Sequence, residues 1–533
     1  MNHTGKVYLI GAGPGDPGLL TLKGAEALRR AEVIVYDRLA NPALLKLASP
    51  NAERIYAGKL PDHHTLTQDE INAVLVEKGL AGRTVARLKG GDPYVFGRGG
   101  EEAEALRAAG IPFEVVPGVT SAIAAPAYAG VPVTHRDECS AFVVITGHED
   151  PTKEESSLDY DALARFARGA TLVFLMGVRR LPQISAALQA GGLLAETPVA
   201  VVQWGTLPQQ RVATGTLATI ADEVKRQNIS SPAVTVVGGV VNYRDALRWF
   251  DLPEEKPLLG KRIVVTRARA QASELSEALR DLGAEPIEVP AIRITEPEDG
   301  YAALDAAIAE LESYDWVVFT SINGVDHFWQ RLRAAGRDSR VLGRARVAAI
   351  GTATAEALET RGIVADVVPE QFVAESLLDA LSGEEIAGKR FLLPRADIAR
   401  EALYKGLQAA GARVTEAHAY RTLVGEPDAG ALATLDEGVD IITFTSSSTV
   451  RNFVEQVGAE RAQRLAANAT IAAIGPITAS TARELGLRVD FEAEEYTVAG
   501  LVQAIVRATT TGALRAGRPT TANGERLMAQ AVE

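Results

Sequence analysis

The sequence predicts an α/β protein of several domains. Three observations carry this: strands alternate with helices through residues 1–243, an α/β unit repeats itself after residue 260, and glycine is plentiful while aromatics are few. At 533 residues the chain exceeds what one hydrophobic core normally serves. Hydrophobic residues make up 47% of the chain and aromatics 5%, with 48 glycines, a profile of tight strand-to-helix turns.

The alternation is read from short apolar runs. KVYLIGAG, EVIVYD, TVARLKGG, FEVVPG, AFVVITG, TLVFLM, PVAVVQ and AVTVVGG mostly end in Gly, Asp or polar residues, with helical patterns such as EEAEALRAAG between several of them. Ligand loops are therefore expected at strand ends. The stretch DLPEEKPLLGK is charged, holds two prolines and lacks a period, so residues 246–260 are expected to link two domains.

The duplication is visible directly. GKRIVVTRARAQASELSEALRDLGAEP at 260 recurs at 388 as GKRFLLPRADIAREALYKGLQAAGARV, 128 residues on. YDWVVFTSINGVDHF at 314 recurs at 439, and ARVAAIGTATAEALETRGIVADVV at 345 recurs at 469, offsets of 125 and 124. Such a period is far too long for a stacked solenoid, so it predicts two similar lobes with a cleft between them. From Thr509 the chain loses periodicity and is expected to be a disordered tail, 509–533.

Composition also excludes function classes. With 68 acidic against 55 basic residues the net charge is −13, which disfavours nucleic acid as a partner, although a few arginines in one cleft can still hold an anionic small molecule. The single cysteine, Cys139, permits no intrachain disulfide, and the seven histidines show no metal-ligand spacing; no metal site is expected. No apolar run is long enough for a bilayer, and MNHTGKVYLIGAG enters a strand without a leader pattern, so a cytoplasmic protein with no membrane partner is expected.

GAGPGDPGLLTLKG invites a dinucleotide reading but gives G-x-G-x-G, with Asp16 where the third glycine belongs. Asp16 would also repel a pyrophosphate. Downstream, RLKGGDPYVFGRGGEEAEAL places two glycines and an acid at a strand end, where backbone can approach a flat ligand and Asp92 can face a sulfonium or amino group. Arg87, Lys89 and Arg98 flank this loop, either to pair with carboxylates or as surface charges.

Together with GKLPDHHTLTQDEIN, VVPGVTSAIAAPAYAGVPVTHRD, TLVFLM and SPAVTVVGG, these blocks resemble the tetrapyrrole methylase family over nearly all of residues 5–243, and within it the uroporphyrinogen-III C-methyltransferases. The resemblance implies a two-part methylase fold over 1–245 and an S-adenosylmethionine site at Pro14, Gly90, Gly91, Asp92, Val95, Thr120, Ser121, Met176, Gly205 and Ala233. It implies acid–base roles for Asp37 and Lys59, with His64 facing substrate, and a homodimer formed through this half. Read without it, Asp37 caps a helix, Lys59 is a solvated charge and Met176 is ordinary core.

The duplicated half resembles uroporphyrinogen-III synthase, mainly in the order of its blocks. That implies a bilobed α/β synthase over 261–508 with duplicated lobes, about 261–298 plus 422–508 and about 299–421. Closing linear hydroxymethylbilane with one ring inverted calls for donors to acetate and propionate groups and exclusion of water, with no cofactor in this half. Arg267, Thr320, Ser321, Arg395, Ser446, Ser447 and Thr478 offer such donors at strand ends, and Tyr420 matches the tyrosine proposed to assist loss of the hydroxyl. Helix caps and a cleft wall are the plainer roles for the same residues.

The expected function is therefore bifunctional: cyclisation of hydroxymethylbilane to uroporphyrinogen III, then two methylations to precorrin-2, which serves sirohaem and cobalamin synthesis. A methylase of a related tetrapyrrole, carrying a bilobed ligand-binding module without catalysis, is the alternative.

Overall fold

The computed structural model describes residues 5–58, 66–147, 158–267, 269–369, 374–397, 401–425, 429–512 and 514. Four five-stranded sheets result, two in each half. The first contains β1 (Val7–Gly11), β2 (Val33–Tyr36), β3 (Glu53–Tyr56), β4 (Val85–Lys89) and β5 (Phe113–Val116), ordered β3-β2-β4-β1-β5. Every pairing is parallel. Helices cover both faces of such a sheet, so its strands are apolar without alternation. β4 departs from that rule: Arg87 and Lys89, two apart and thus on one face, are both buried.

The second sheet contains β6 (Ala141–Thr146), β7 (Ala170–Leu175), β8 (Pro198–Gln203), β9 (Arg211–Thr216) and β10 (Ala233–Val237), ordered β6-β7-β10-β8-β9. β6 and β7 run parallel, and the remaining neighbours are antiparallel. All eight strands expected from apolar runs form. β3 and β9 are additional; both are sheet-edge strands with partly exposed, polar sequences that carry no apolar signal.

In the second half the three repeated blocks take equivalent places in two sheets. β11 (Arg262–Val265), β12 (Glu285–Glu288), β18 (Ile441–Phe444), β19 (Thr470–Ala473) and β20 (Phe491–Glu492) form a parallel sheet ordered β12-β11-β18-β19-β20. β13 (Ile292–Thr295), β14 (Trp316–Phe319), β15 (Arg346–Ala349), β16 (Arg390–Ala396) and β17 (Arg413–Val424) form the other, ordered β13-β17-β16-β14-β15. The chain crosses to this second sheet before β13, earlier than the expected break near 298, because β13 pairs antiparallel with β17. The two crossings lie side by side: Gly425 N donates to Ala291 O, and Gln456 Nε2 donates to Pro290 O and Gly425 O.

The stretch between the halves is packed down. Trp249 and Phe250 pack at a tilt against Tyr128, ring centroids 4.8 and 4.9 Å away, and Leu258 is fully buried. Lys46 pairs with Glu288 at 2.8 Å, and Gln209 donates to Glu285 at 2.6 Å, joining the first half to β12. At the other end a helix, Val498–Thr510, continues past the expected start of the tail, and from 515 the tail lies outside the described residues.

Candidate active sites

Because β4, β1 and β5 are neighbours, the loops that follow them meet at one edge of the first sheet. Three glycines allow this. A Cβ on Gly11 would lie 2.5 Å from Gly118 Cα and 2.7 Å from Gly91 O, so only backbone fits at the junction. Gly13 and Gly91 exchange backbone hydrogen bonds of 3.2 and 2.7 Å, and Gly91 holds φ +67. Asp92 completes the junction by accepting from Gly118 N at 3.0 Å and Tyr94 N at 2.8 Å. Its carboxylate organises the loops as well as facing the cleft.

A second set of contacts ties this edge to the other sheet. Asp16 accepts from Tyr128 Oη at 2.7 Å, and its backbone N–H donates to Thr206 Oγ1 at 3.1 Å. Thr206 N donates to Gln210 Oε1, and Gln210 Nε2 donates to Tyr128 O. Burial and the neighbouring Asp16 carboxylate push the Tyr128 phenol up, so it stays a donor. With its oxygens engaged by Tyr128 and Gly18 N, Asp16 puts negative charge where a pyrophosphate would need positive.

The cleft between the two sheets is lined by all ten positions expected for a methyl donor, with Asp37 beside them. Six non-glycine residues with positive φ also line it: Phe96, Arg98, Met176, Trp204, Thr206 and Asn228. Backbone strain of this kind persists where the surrounding structure over-determines a site. Met176 is 48% exposed rather than core. Thr120 caps the helix Ser121–Tyr128 through Ala122 N, and that helix begins at the cleft. Gly205 abuts Ala125, and Gly90 abuts Leu39, so both are close-approach glycines.

Asp37 follows β2. Its Oδ1 accepts from Leu39 N at 3.2 Å and Gly90 N at 3.3 Å, while Oδ2 lies 3.7 Å from Arg87 Nη2. Arg87 and Lys89 are not surface charges: both reach Glu102, at 3.0 and 2.6 Å. Arg98 does stay at the surface, paired with Glu101. Lys59 and His64 lie outside the described residues. The outer wall is completed from the second half by residues including Arg262, Glu285 and Glu437. Burial raises both of these carboxyls despite the nearby guanidinium.

In the second half, the ends of equivalent strands carry equivalent caps. Ser321 caps the helix Ile322–Ala334 through Gly324 N, and Ser446 caps Ser447–Val457 through Thr449 N. The capping role thus holds for both serines. Ser321 also touches Tyr420, Oγ to Oη 3.0 Å. Tyr420 is 8% exposed, a wall residue, and burial pushes its phenol up although hydrogen bonds from Ser321 and Asn323 oppose this. Its ring stacks on His327, whose Nδ1 meets Tyr301 Oη at 2.8 Å.

Arg267, at the end of β11, is mostly buried 3.6 Å from Glu274, and burial lowers its pKa. Arg395 pairs with Glu416 at 2.7 Å. Ser447 accepts from Thr481 Oγ1, Thr478 is buried, and Thr320 is partly buried just ahead of Ser321. Among the described residues no group of three or more His, Cys, Asp or Glu is placed to hold a metal, and no helix is long and apolar enough to cross a membrane.

Sequence reasoning missed Glu102, whose position in EEAEAL looks solvent-facing, and the Asp16–Tyr128, Asp16–Thr206 and Gln210–Tyr128 contacts, which join residues 82 or more apart. His327 and Tyr301 gave no signal either.

Two family models match the chain: "Tetrapyrrole (Corrin/Porphyrin) Methylases" over residues 6–221 and "Uroporphyrinogen-III synthase HemD" over 273–503. The porphyrin biosynthesis protein HemD of Ruminiclostridium josui is 38% identical over 508 residues, covering 95% of this chain and 98% of that protein. An S-adenosyl-L-methionine-dependent uroporphyrinogen III methyltransferase of Methanosarcina barkeri is 58% identical over 46% of this chain and 94% of its own. The crystal structure of a Thermus thermophilus uroporphyrin-III C-methyl transferase complexed with S-adenyl homocysteine is 41% identical, covering 45% of this chain and 99% of that one with a TM-score of 0.39. The chain belongs to the family of bifunctional tetrapyrrole-biosynthesis proteins in which a methylase domain of the uroporphyrinogen-III C-methyltransferase kind precedes a uroporphyrinogen-III synthase domain.

Proposed function

We propose that the second half cyclises hydroxymethylbilane to uroporphyrinogen III and that the first half methylates this product twice with S-adenosylmethionine to give precorrin-2. The observation that carries the reading is the convergence of ten methyl-donor positions and Asp37 on one cleft. The cleft fits such a donor: a floor of bare backbone suits a flat group, the half-exposed Met176 offers an apolar wall, and Asp92 favours a positive centre. S-adenosylmethionine supplies an electrophilic methyl group on a sulfonium.

The chain's own residues do the rest. The glycine junction and the helix start at Ser121 hold donor and acceptor in line, an arrangement that lowers a barrier by roughly 7–11 kcal/mol. Asp37 accepts the proton that the methylated pyrrole carbon releases, with the Arg87 guanidinium 3.7 Å from its Oδ2. Lys59 acts with it as the acid, and His64 faces substrate.

In the synthase half Tyr420, protonated beyond neutral pH, assists departure of the hydroxyl. Arg267, Arg395 and the hydroxyls of Thr320, Ser321, Ser446, Ser447 and Thr478 bind the carboxylates. This half works without a cofactor. The protein is a cytoplasmic homodimer through its first half, which sedimentation of residues 1–245 against the full chain tests.

The full chain given hydroxymethylbilane and S-adenosylmethionine should yield dimethylated product of the type III isomer. If it binds hydroxymethylbilane yet leaves the type I to type III ratio as in buffer, the second half is a binding module instead.

A further inference from the structure

We infer that Glu102 is a positioning residue for methyl transfer: it fixes the Arg87 guanidinium so that one edge faces Asp37 without capturing it. The inference rests on the reading of Asp37 as the base. Glu102 lies in the helix Gly99–Ala108 and is fully buried. Its Oε1 alone receives Arg87 Nε at 3.0 Å, Lys89 Nζ at 2.6 Å and Gln68 Nε2 at 3.4 Å. Its Oε2 is buried without a hydrogen-bond partner. A buried carboxylate in that state is costly unless cations compensate it, and here one anion serves two.

Each edge of the guanidinium has an assignment. Nε goes to Glu102, Nη1 to the Leu88 and Val35 carbonyls at 3.2 and 3.4 Å, and Nη2 faces Asp37 Oδ2 at 3.7 Å. At 3.7 Å the cation acts on Asp37 through charge without a hydrogen bond, which leaves Oδ2 open to take a proton. Burial and the neighbouring Arg87 lower the Lys89 pKa against the pull of Glu102, which marks Glu102 as what keeps both cations tolerable there. The other charged or titratable groups around Asp37 and this cluster are Tyr36 and Arg38 on either side of Asp37, Tyr56 at the end of β3, Asp69 in the helix Gln68–Leu80, and Arg98 and Glu101 at the start of the helix Gly99–Ala108.

Glu102→Gln removes the anion while keeping the shape. Arg87 is then free to close on Asp37 and to occupy Oδ2, the oxygen that would take the proton. In the full chain we expect kcat for methylation to fall about tenfold or more and the KM for S-adenosylmethionine to stay within about twofold, which also reports that the first half is folded. Cyclisation of hydroxymethylbilane by the same sample should not change. Asp37→Asn with Glu102→Gln should be no slower than Asp37→Asn alone, because Glu102 acts through Asp37. Additive losses, or wild-type kcat in Glu102→Gln, overturn the inference. Full methylation by Asp37→Asn overturns instead the reading of Asp37 as the base. Should Glu102→Gln not fold, Lys89→Met with Glu102→Gln removes a buried cation along with the anion, and the same readouts decide.

Discussion

The two candidate sites are built by different means. Six non-glycine residues with positive φ and a junction of three glycines shape the first, so its form is set by backbone. In the second, matching strand ends carry matching serine caps in ordinary extended geometry: Ser321 at φ −167, ψ 154 and Ser446 at φ −166, ψ 162. Among the described residues of the second half, only Tyr301 combines a side chain with positive φ. A backbone-shaped site leaves little sequence freedom, whereas a site lined by caps and buried side chains asks mainly for residues that helices want anyway.

Removing the proposed proton donor of the second half should have the largest effect. Tyr420→Phe is expected to slow cyclisation by roughly 100-fold, as loss of a general acid typically does, with methylation of added uroporphyrinogen III unchanged. A stopped assay of both activities checks this. Burial raises Tyr420, and Tyr56 is pushed up to about 12. Folding stability from these phenols is complete below the usual tyrosine value of about 10 and is lost as pH rises through their folded values. Tyr420→Phe should therefore flatten part of the alkaline fall in Tm.

Next comes the backbone of the first cleft. Gly118→Ala sets a Cβ 2.6 Å from Gly11 Cα, where neither side can yield. Overpacking of about 1–3 kcal/mol should appear as a roughly ten- to hundredfold loss of S-adenosylmethionine affinity by calorimetry, with cyclisation intact. Asp92→Ala deprives Gly118 N and Tyr94 N of their acceptor and should weaken donor binding about tenfold. Unchanged affinity would remove Asp92 from the site.

The smallest effect separates the lobes themselves. Ser321→Ala and Ser446→Ala should each cost about 1 kcal/mol of stability as lost caps. Ser321→Ala should slow cyclisation more than Ser446→Ala, because of the two serines it is Ser321 that touches Tyr420.

This contrast explains what could be read in advance. The eight strands of the first half were legible because a sheet covered on both faces demands apolar runs, and the edge strands β3 and β9 were not because they meet no such demand. The ten donor positions were carried over from the family likeness, and four of them, Pro14, Gly90, Gly91 and Gly205, are the glycine or proline of tight loops. Glu102 was illegible: nothing local distinguishes a buried glutamate in EEAEAL from its exposed neighbour Glu101. The duplication announced two lobes, yet the crossing at Pro290 and Gly425 depends on β13 pairing with β17, a contact between distant residues. Tyr420 could be matched by likeness, but its partners Ser321 and His327 come from another strand end and another helix.

Two independent sites in series are the core of the account, and a chain disabled only in the first tests it most directly. Gly118→Ala protein given hydroxymethylbilane, with S-adenosylmethionine held well below its weakened affinity, should accumulate unmethylated uroporphyrinogen of the type III isomer. Accumulation of the type I isomer would show that the second half does not direct the ring closure and would contradict it.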